Sequence, residues 1–196
     1  PFPAIIEINT LTGIVDYKPD PEKHMVHVFD HQTVHVMDKD FVDGWLTRST
    51  YLTANHESPV FNFGSFMSLE SFIISIQAMF VQDETTASML KVIGNIKEEN
   101  VKQYSDDGVT QAVTAKKGSS FVDTLPVPNP VTLRPYRTFM EIEQPASTFV
   151  FRMQARDGQM PSCALFEADG RMWRLEAIHR IKEWLTINIP GVKIIA

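Results

Sequence analysis

Cysteine is almost absent from this chain of 196 residues. The single cysteine, Cys163, cannot form a disulfide within the chain, and one thiolate cannot make a cysteine-only metal site. It lies in the apolar run Cys163-Ala164-Leu165-Phe166, where no neighbour would lower its pKa. We therefore expect a buried thiol rather than a nucleophile, in a protein of a reducing compartment.

Long apolar runs are also missing. No charge-free run reaches the roughly 18 residues needed to cross a bilayer, and residues 1–7 lack the basic region of a signal peptide. We therefore expect a cytoplasmic protein with no membrane partner. The sequence starts at Pro1 rather than at a methionine, so a further segment is expected before it.

The motifs of the common nucleotide-binding and hydrolytic enzymes do not occur in the sequence. It lacks Gly-x-x-x-x-Gly-Lys-[Ser/Thr], Gly-x-Gly-x-x-Gly after a strand, Gly-x-Ser-x-Gly and His-Glu-x-x-His. The carboxylate-rich segments also lack the Glu-x-Lys of restriction-type nucleases. These absences argue against P-loop hydrolysis, dinucleotide redox chemistry and the usual hydrolases, so we expect no cofactor.

Positive charge is scarce and unevenly spread in a chain of formal net charge -6. Seven of the eight arginines fall in the last third: Arg134, Arg137, Arg152, Arg156, Arg171, Arg174 and Arg180. An acidic chain without a Lys/Arg cluster is a poor candidate for non-specific DNA binding.

A local site for nucleic acid or a small nucleotide remains open at this arginine-rich end. Arg134, Arg137 and Arg152 would contact phosphate, and Tyr136 would supply a stacking surface. The alternative is an ordinary set of solvated arginines at strand edges.

Hydrophobic periodicity predicts an α+β fold of mostly antiparallel hairpins, with three or four helices packed against the sheets. Strands are expected at residues 5–8, 24–29, 34–37, 49–54, 101–104, 109–115, 137–143, 148–154, 162–167 and 192–195. Helical spacing predicts a short helix ending at Tyr17 and longer helices over 68–80, 83–93 and 172–185.

Apolar stripes identify the buried face expected for each longer helix. The first stripe comprises Phe72, Ile73, Ile76, Met79 and Phe80. In the second helix, capped by Asp83 and ended by Gly94-Asn95, the inward residues are Ala87, Leu90 and Ile93. The last stripe comprises Leu175, Ile178, Ile181, Trp184 and Leu185.

No repeat divides the chain, and we expect one domain over residues 1–196. Residues 125–130 are too rich in proline for a central strand and are expected to form an extended connector. If the domain has two lobes, their division would fall there.

Histidines are concentrated in the hairpin expected over residues 24–37 and are the densest group of candidate metal ligands. A two-residue turn at His31-Gln32 would point His27 and His35 to opposite faces, whereas a three-residue turn would place them directly opposite each other. No cysteine or well-spaced carboxylate completes a zinc shell with them. The alternative is a solvated hairpin with incidental histidines.

Acidic pairs offer two further candidates. Glu141 and Glu143, two apart on an expected strand, would hold their carboxylates about 7 Å apart, as in an inverting glycosidase. The simpler interpretation is an exposed strand face, opposed by Arg152. Asp106-Asp107 is more typical of a hairpin turn than of a metal site.

Aromatic residues cluster at 61–72, where Phe61, Phe63, Phe66 and Phe72 could stack bases in a single-strand groove. Such platforms accompany basic tracks, and no Lys or Arg lies between Arg48 and Lys91. A core position is therefore the favoured interpretation.

Six blocks of the sequence resemble a family of phage and prophage proteins of unknown function. The longest is Val127-Pro128-Asn129-Pro130-Val131-Thr132-Leu133-Arg134-Pro135-Tyr136-Arg137-Thr138-Phe139, and the others are residues 11–17, 94–99, 106–111, 143–145 and 164–170. The resemblance implies an early-region phage product encoded near replication and recombination functions, and it carries over no catalytic residues.

The resemblance and the missing catalytic motifs together favour a non-enzymatic accessory protein in the host cytoplasm. It would bind a host or phage protein in phage DNA metabolism, or counteract host defence. Plentiful Phe and Met and several edge strands suggest a homo-oligomer. The alternatives are the nucleic-acid or nucleotide site at the arginines and a metal-dependent enzyme using the histidine hairpin.

Overall fold

A computed structural model describes residues 4–41, 46–98, 100–106, 111–117, 121–126, 129–154 and 160–196. Within these ranges the chain forms four helices and twelve strands. Most strand pairs are antiparallel, which confirms the predicted α+β class. None of the helices in the described ranges is long and apolar enough to span a bilayer.

The helices are α1 (Thr12–Tyr17), α2 (Leu69–Met79), α3 (Glu84–Glu98) and α4 (Trp173–Asn188). The strands of the first half are β1 (Ile6–Ile8), β2 (His24–Val28), β3 (Thr33–Asp38), β4 (Thr50–Asn55) and β5 (Met67–Ser68). Those of the second half are β6 (Asn100–Asp106), β7 (Gln111–Lys117), β8 (Phe121–Pro126), β9 (Val131–Leu133), β10 (Ser147–Gln154), β11 (Ser162–Glu167) and β12 (Lys193–Ile195).

The chain divides into two compact units, each built from separate segments. The first unit comprises Pro1–Pro59, Tyr136–Pro145 and Met172–Ala196, and the second comprises Val60–Pro135 and Ala146–Arg171. The expected connector at 125–130 falls inside the second unit rather than at a crossing between them. The single domain over 1–196 stays a prediction.

The first unit contains a five-stranded mixed sheet in the order β1-β4-β3-β2-β12. Both edge strands run parallel to their neighbours, whereas β2, β3 and β4 are antiparallel. Helices α1 and α4 pack on one face of this sheet. The core on that side is mostly aliphatic and includes Leu11, Ile14, Val26, Val36, Leu52, Ile181 and Leu185, together with the buried ring of Phe139.

The second unit contains an antiparallel sheet in the order β5-β11-β10-β9, and a three-stranded meander of β6, β7 and β8. Its core is aromatic, since Phe72, Phe80, Phe149 and Phe151 are fully buried. Phe61 is also buried, and Phe63 stacks on Phe149 with ring centroids 5.2 Å apart, while Phe66 is 39% exposed. Three of the four phenylalanines of the 61–72 cluster therefore contribute to the core, as favoured from the sequence.

Two helix predictions were wrong in detail. Helix α3 does not end at Gly94-Asn95 but continues to Glu98, and it buries Thr86, Met89 and Ile93 while Ala87 is exposed. In α4, Leu175 is 65% exposed because the buried face is set by Trp173, Ala177, Ile181 and Leu185, at a strict four-residue spacing.

The strand expected over residues 137–143 was also wrong, because this segment is irregular. The buried side chain of Gln144 satisfies its backbone instead of a neighbouring strand. Its Oε1 accepts from the N–H groups of Arg137 and Thr138, and its Nε2 donates to the carbonyls of Thr138 and Phe139. Conversely, β8 forms although no strand was expected at 121–126; its Pro126 lies on an edge strand, where no ladder donor is needed.

Candidate functional site

A pocket of about 920 Å³ lies in the first unit, at the ends of strands β1 and β4. Because these strands are parallel, with Ile8 paired to Ala54, the residues that follow them emerge at the same edge of the sheet. We refer to this cavity as the sheet-edge pocket; its lining comprises Glu7, Ile8, Asn9, Thr33, Thr53, Asn55, His56 and Glu57.

The lining of the sheet-edge pocket is polar and acidic. Glu7 and Glu57 are exposed carboxylates, and the lining residues that the structure describes include neither lysine nor arginine. Asn9 and Asn55 contribute carboxamides, and the Oγ1 of Thr33 donates to the Oδ1 of Asn55 at 3.4 Å. The pocket therefore offers several oxygen acceptors and two negative charges.

Among the described residues that line the pocket, His56 is the only ionisable one besides the glutamates. Its backbone N–H donates to the carbonyl of Gln32 at 2.8 Å, and its ring lies 5.6 Å from that of Phe139. Burial lowers the pKa of His56, and the nearby charge of Glu141 opposes this only in part. The imidazole is therefore neutral at pH 7, and it does not offset the negative charge of the pocket.

A row of side chains crosses the face of the five-stranded sheet opposite to α1 and α4. The strand registers align Glu7, Thr53, His35, His27 and Ile195 side by side. We refer to this surface as the outer face. The Nδ1 of His35 lies 3.0 Å from the Oγ1 of Thr53, and Thr53 and Glu7 also line the sheet-edge pocket.

Phe29 projects from the outer face beside the two histidines. Its ring is 5.9 Å from each of the rings of His27 and His35, and the residue is 62% exposed. An exposed aromatic ring bordered by polar side chains is a common feature of binding surfaces.

His27 and His35 lie directly opposite each other, which is the register expected for a three-residue turn. The turn closes where the N–H of Phe29 donates to the carbonyl of Thr33 at 3.0 Å. The two rings are 6.4 Å apart, and within the described part of the chain no group of three or more His, Cys, Asp or Glu side chains is placed to hold a metal ion.

The two other histidines of the hairpin are engaged elsewhere. The Nδ1 of His24 accepts from the N–H of Asp20 at 3.0 Å, and the ring of His31 meets that of Trp173 edge-on at 4.8 Å. The hairpin therefore does not gather its four histidines around one point.

The arginines proposed as phosphate contacts are spread over both units. In the second unit, Arg134 follows β9 and forms an ion pair with Asp83 at 3.2 Å, while Arg152 lies on β10. Because Leu133 pairs with Ser147, Arg134 and Arg152 are separated by about six residues of strand, or about 20 Å. The sheet does not bring these two guanidinium groups together.

Tyr136 and Arg137 belong to the first unit. Tyr136 is partly buried, and Arg137 is only 7% exposed, with its guanidinium 3.8 Å above the ring of Trp173. Arg174 approaches the same ring at 5.5 Å. Arg137 is thus part of a cation–π contact in the interior of the unit, and the nucleotide site at these four residues stays a prediction.

The acidic pair Glu141 and Glu143 connects the irregular segment to both helices of the first unit. Oε1 of Glu141 accepts from the N–H and the Oγ1 of Thr12, at 3.0 and 3.2 Å. Oε2 of Glu143 lies 3.4 Å from Nη1 of Arg180. Arg152, expected to oppose this pair, instead lies across from Ala164 on β11.

Two further candidate residues, Cys163 and Asp106, lie in the second unit. Cys163 is fully buried on β11, and burial raises the pKa of its thiol to about 12, so it is protonated at neutral pH. Asp106 ends β6, whereas Asp107 and the rest of the expected turn lie outside the described residues.

Sequence reasoning missed the sheet-edge pocket. The sequence shows only that polar residues follow two of the expected strands: Asn9 follows one, and Asn55-His56-Glu57 follows the other. What joins them is the parallel pairing of β1 with β4, two strands separated by more than forty residues. Comparison with protein-family models, with curated proteins and with solved structures found no match for the chain.

Proposed function

We propose that this chain is a non-enzymatic phage accessory protein that binds another protein, of host or phage origin, in phage DNA metabolism or in counteracting host defence. The observation that carries the proposal is the outer face of the five-stranded sheet. Helices α1 and α4 pack on the other face, and Phe29 projects from the outer face with 62% of its surface exposed.

The composition of the outer face supports protein binding. His27, His35 and Thr53 are partly buried and hold their side chains in a fixed row, so little conformational entropy remains to be lost on binding. Phe29 beside this row supplies apolar area, and aromatic residues with a polar border are enriched in such interfaces.

The polar side chains that invited a catalytic interpretation have structural partners, which also supports a binding role. Glu141 accepts from Thr12, and Glu143 forms an ion pair with Arg180 at 3.4 Å. The thiol of Cys163 is buried in the core of the second unit. These groups position the chain rather than face a common reacting atom.

Site-specific photocrosslinking in phage-infected cells tests the proposal. A photoreactive amino acid is introduced at position 29 or, as a matched control, at position 175, where Leu175 is equally exposed on α4. We expect one discrete crosslinked protein from position 29 and none from position 175. Phe29→Ala should reduce its co-purification with the unmodified chain about tenfold, as for an interface hot spot.

Two results would contradict the proposal. One is the absence of any discrete crosslink from position 29 while the variant remains folded. The other is an equal pattern of crosslinks from both positions, which would indicate non-specific contact instead of a binding surface.

A further inference from the structure

We propose that the sheet-edge pocket recognises a basic side chain, arginine or lysine, on an extended segment of the partner protein. This inference rests on the proposed function, since it names the chemistry by which the partner is recognised. The pocket adjoins the outer face through the shared residues Glu7 and Thr53.

The negative charge of the sheet-edge pocket favours a cationic ligand. Glu7 and Glu57 give the lining two negative charges, and the low pKa of His56 leaves its imidazole neutral at pH 7. The described lining contains no lysine or arginine to neutralise these carboxylates. An anionic ligand would be repelled, whereas a cation would gain charge-assisted hydrogen bonds.

Hydrogen-bonding capacity favours an organic cation over a bare metal ion. A guanidinium or ammonium group carries only donors. The lining supplies acceptors from two strands and the residues that follow them: the carboxylate of Glu7 and the carboxamide of Asn9 at β1, and the carboxamide of Asn55 and the carboxylate of Glu57 at β4. No three metal-binding side chains converge there or elsewhere in the described residues.

Size and position favour a side chain carried on a polypeptide. At about 920 Å³ the pocket exceeds the volume of one side chain, so it has room for neighbouring residues of a segment. It is lined in part by β1, an edge strand of the sheet that begins at Ile6 and is preceded by Ile5, 49% and 50% exposed. An edge strand with exposed aliphatic residues is suited to receive an extended segment.

Amide NMR titration of the full chain tests the inference without a known partner. The probes are N-acetyl-arginine amide and its neutral analogue N-acetyl-citrulline amide. We expect arginine amide to shift the backbone signals of Asn9, Asn55 and Glu57 with saturation in the millimolar range, and citrulline amide to leave them unchanged. Raising the salt concentration should weaken binding.

Charge-neutral variants identify the residues responsible. Glu7→Gln combined with Glu57→Gln should weaken arginine binding about tenfold or more, because charge-assisted hydrogen bonds become neutral ones. Both residues are exposed, so the fold should be retained. Glu183→Gln, at an exposed position on α4, is the control and should leave the titration unchanged.

Three outcomes would overturn the inference: equal shifts with citrulline amide, no effect of the double glutamine variant, or tighter saturation by spermidine or Ca²⁺ than by a tripeptide with a central arginine. The last would identify a free cation as the ligand. Crosslinking from position 29 does not depend on the charge of Glu7 or Glu57. Discrete crosslinks with an unresponsive pocket would therefore overturn this inference alone, and their absence would overturn the proposed function itself.

Discussion

Gln144 shows how one side chain can replace a strand partner. Residues 137–143 alternate in a way typical of a strand, and nothing local in the sequence indicates that their backbone groups are satisfied otherwise. The buried amide of Gln144 makes four hydrogen bonds to three residues of this segment. The local sequence pattern could not predict these hydrogen bonds, because it shows neither that Gln144 is buried nor which backbone groups its side chain faces.

Gln144→Leu should lower the free energy of unfolding by about 3 kcal/mol, because it leaves buried backbone donors and acceptors without partners. Urea denaturation followed by circular dichroism measures the change. Glu143→Gln, at the neighbouring exposed position, should change it by less than about 0.5 kcal/mol. Similar losses in both variants would show that the amide does not have this role.

His35 should make the stability of the first unit depend on pH. Burial lowers the pKa of His35 below its ordinary value of 6.5, and the facing His27 lowers it further, while Asp30 opposes both. The folded chain therefore binds this proton less readily than the unfolded chain. The stabilising contribution is complete above pH 6.5 and is lost as the pH falls towards the folded pKa.

NMR titration of the His35 ring measures this pKa directly. His27→Gln should raise the pKa of His35 but leave it below 6.5, because burial is the larger cause. His179→Gln, at an exposed position on α4, should not change it. A His35 pKa at or above 6.5 in the unmodified chain would contradict the prediction.

At the scale of elements, turn chemistry and periodicity predicted most of the structure. The hairpin of β2 and β3, the helix capped by Ser68 and the strand β11 form where the sequence indicated. The end of α3 did not, because Gly94 adopts helical backbone and the helix continues to Glu98. Glycine permits a helix end but does not impose one.

The start of α3 combines a helix cap with an ion pair. Oδ1 of Asp83 accepts from the N–H groups of Thr85 and Thr86, and Oδ2 pairs with Arg134. Asp83→Ala should lower the free energy of unfolding by about 1–2 kcal/mol through loss of the cap. Asp83→Asn keeps a capping oxygen and loses only a partly exposed ion pair, so it should cost less than about 1 kcal/mol.

Urea denaturation of the two variants separates the cap from the ion pair. The Ala variant should be clearly less stable than the Asn variant. Equal destabilisation would mean that the pair with Arg134, not the cap, is the stabilising contact. It would also support the interpretation that Arg134 forms a stabilising ion pair with Asp83 and does not bind a phosphate.

At the scale of the whole molecule, each unit is assembled from segments distant in sequence. Glu7 and Glu57 line one pocket only because β1 and β4 pair in parallel. Helix α4 belongs to the first unit, although both segments of the second unit precede it in the sequence. Such pairings depend on the complementarity of complete surfaces. This is why the sequence predicted the elements and the fold class but neither the two units nor the pocket.

Helix α4 should be indispensable to the first unit and dispensable to the core of the second. Ile181, Leu185 and Ile189 complete the cluster around Val26, Val36 and Leu52, whereas the core of the second unit contains no residue after Leu165. Deleting residues 172–196 should therefore collapse the methyl signal dispersion of Val26, Val36 and Leu52 in NMR spectra, and leave that of Ile76, Leu133 and Leu165 intact. Deleting only residues 193–196 removes an edge strand and should preserve both sets. Loss of both sets in the longer deletion would show that the two units fold only together.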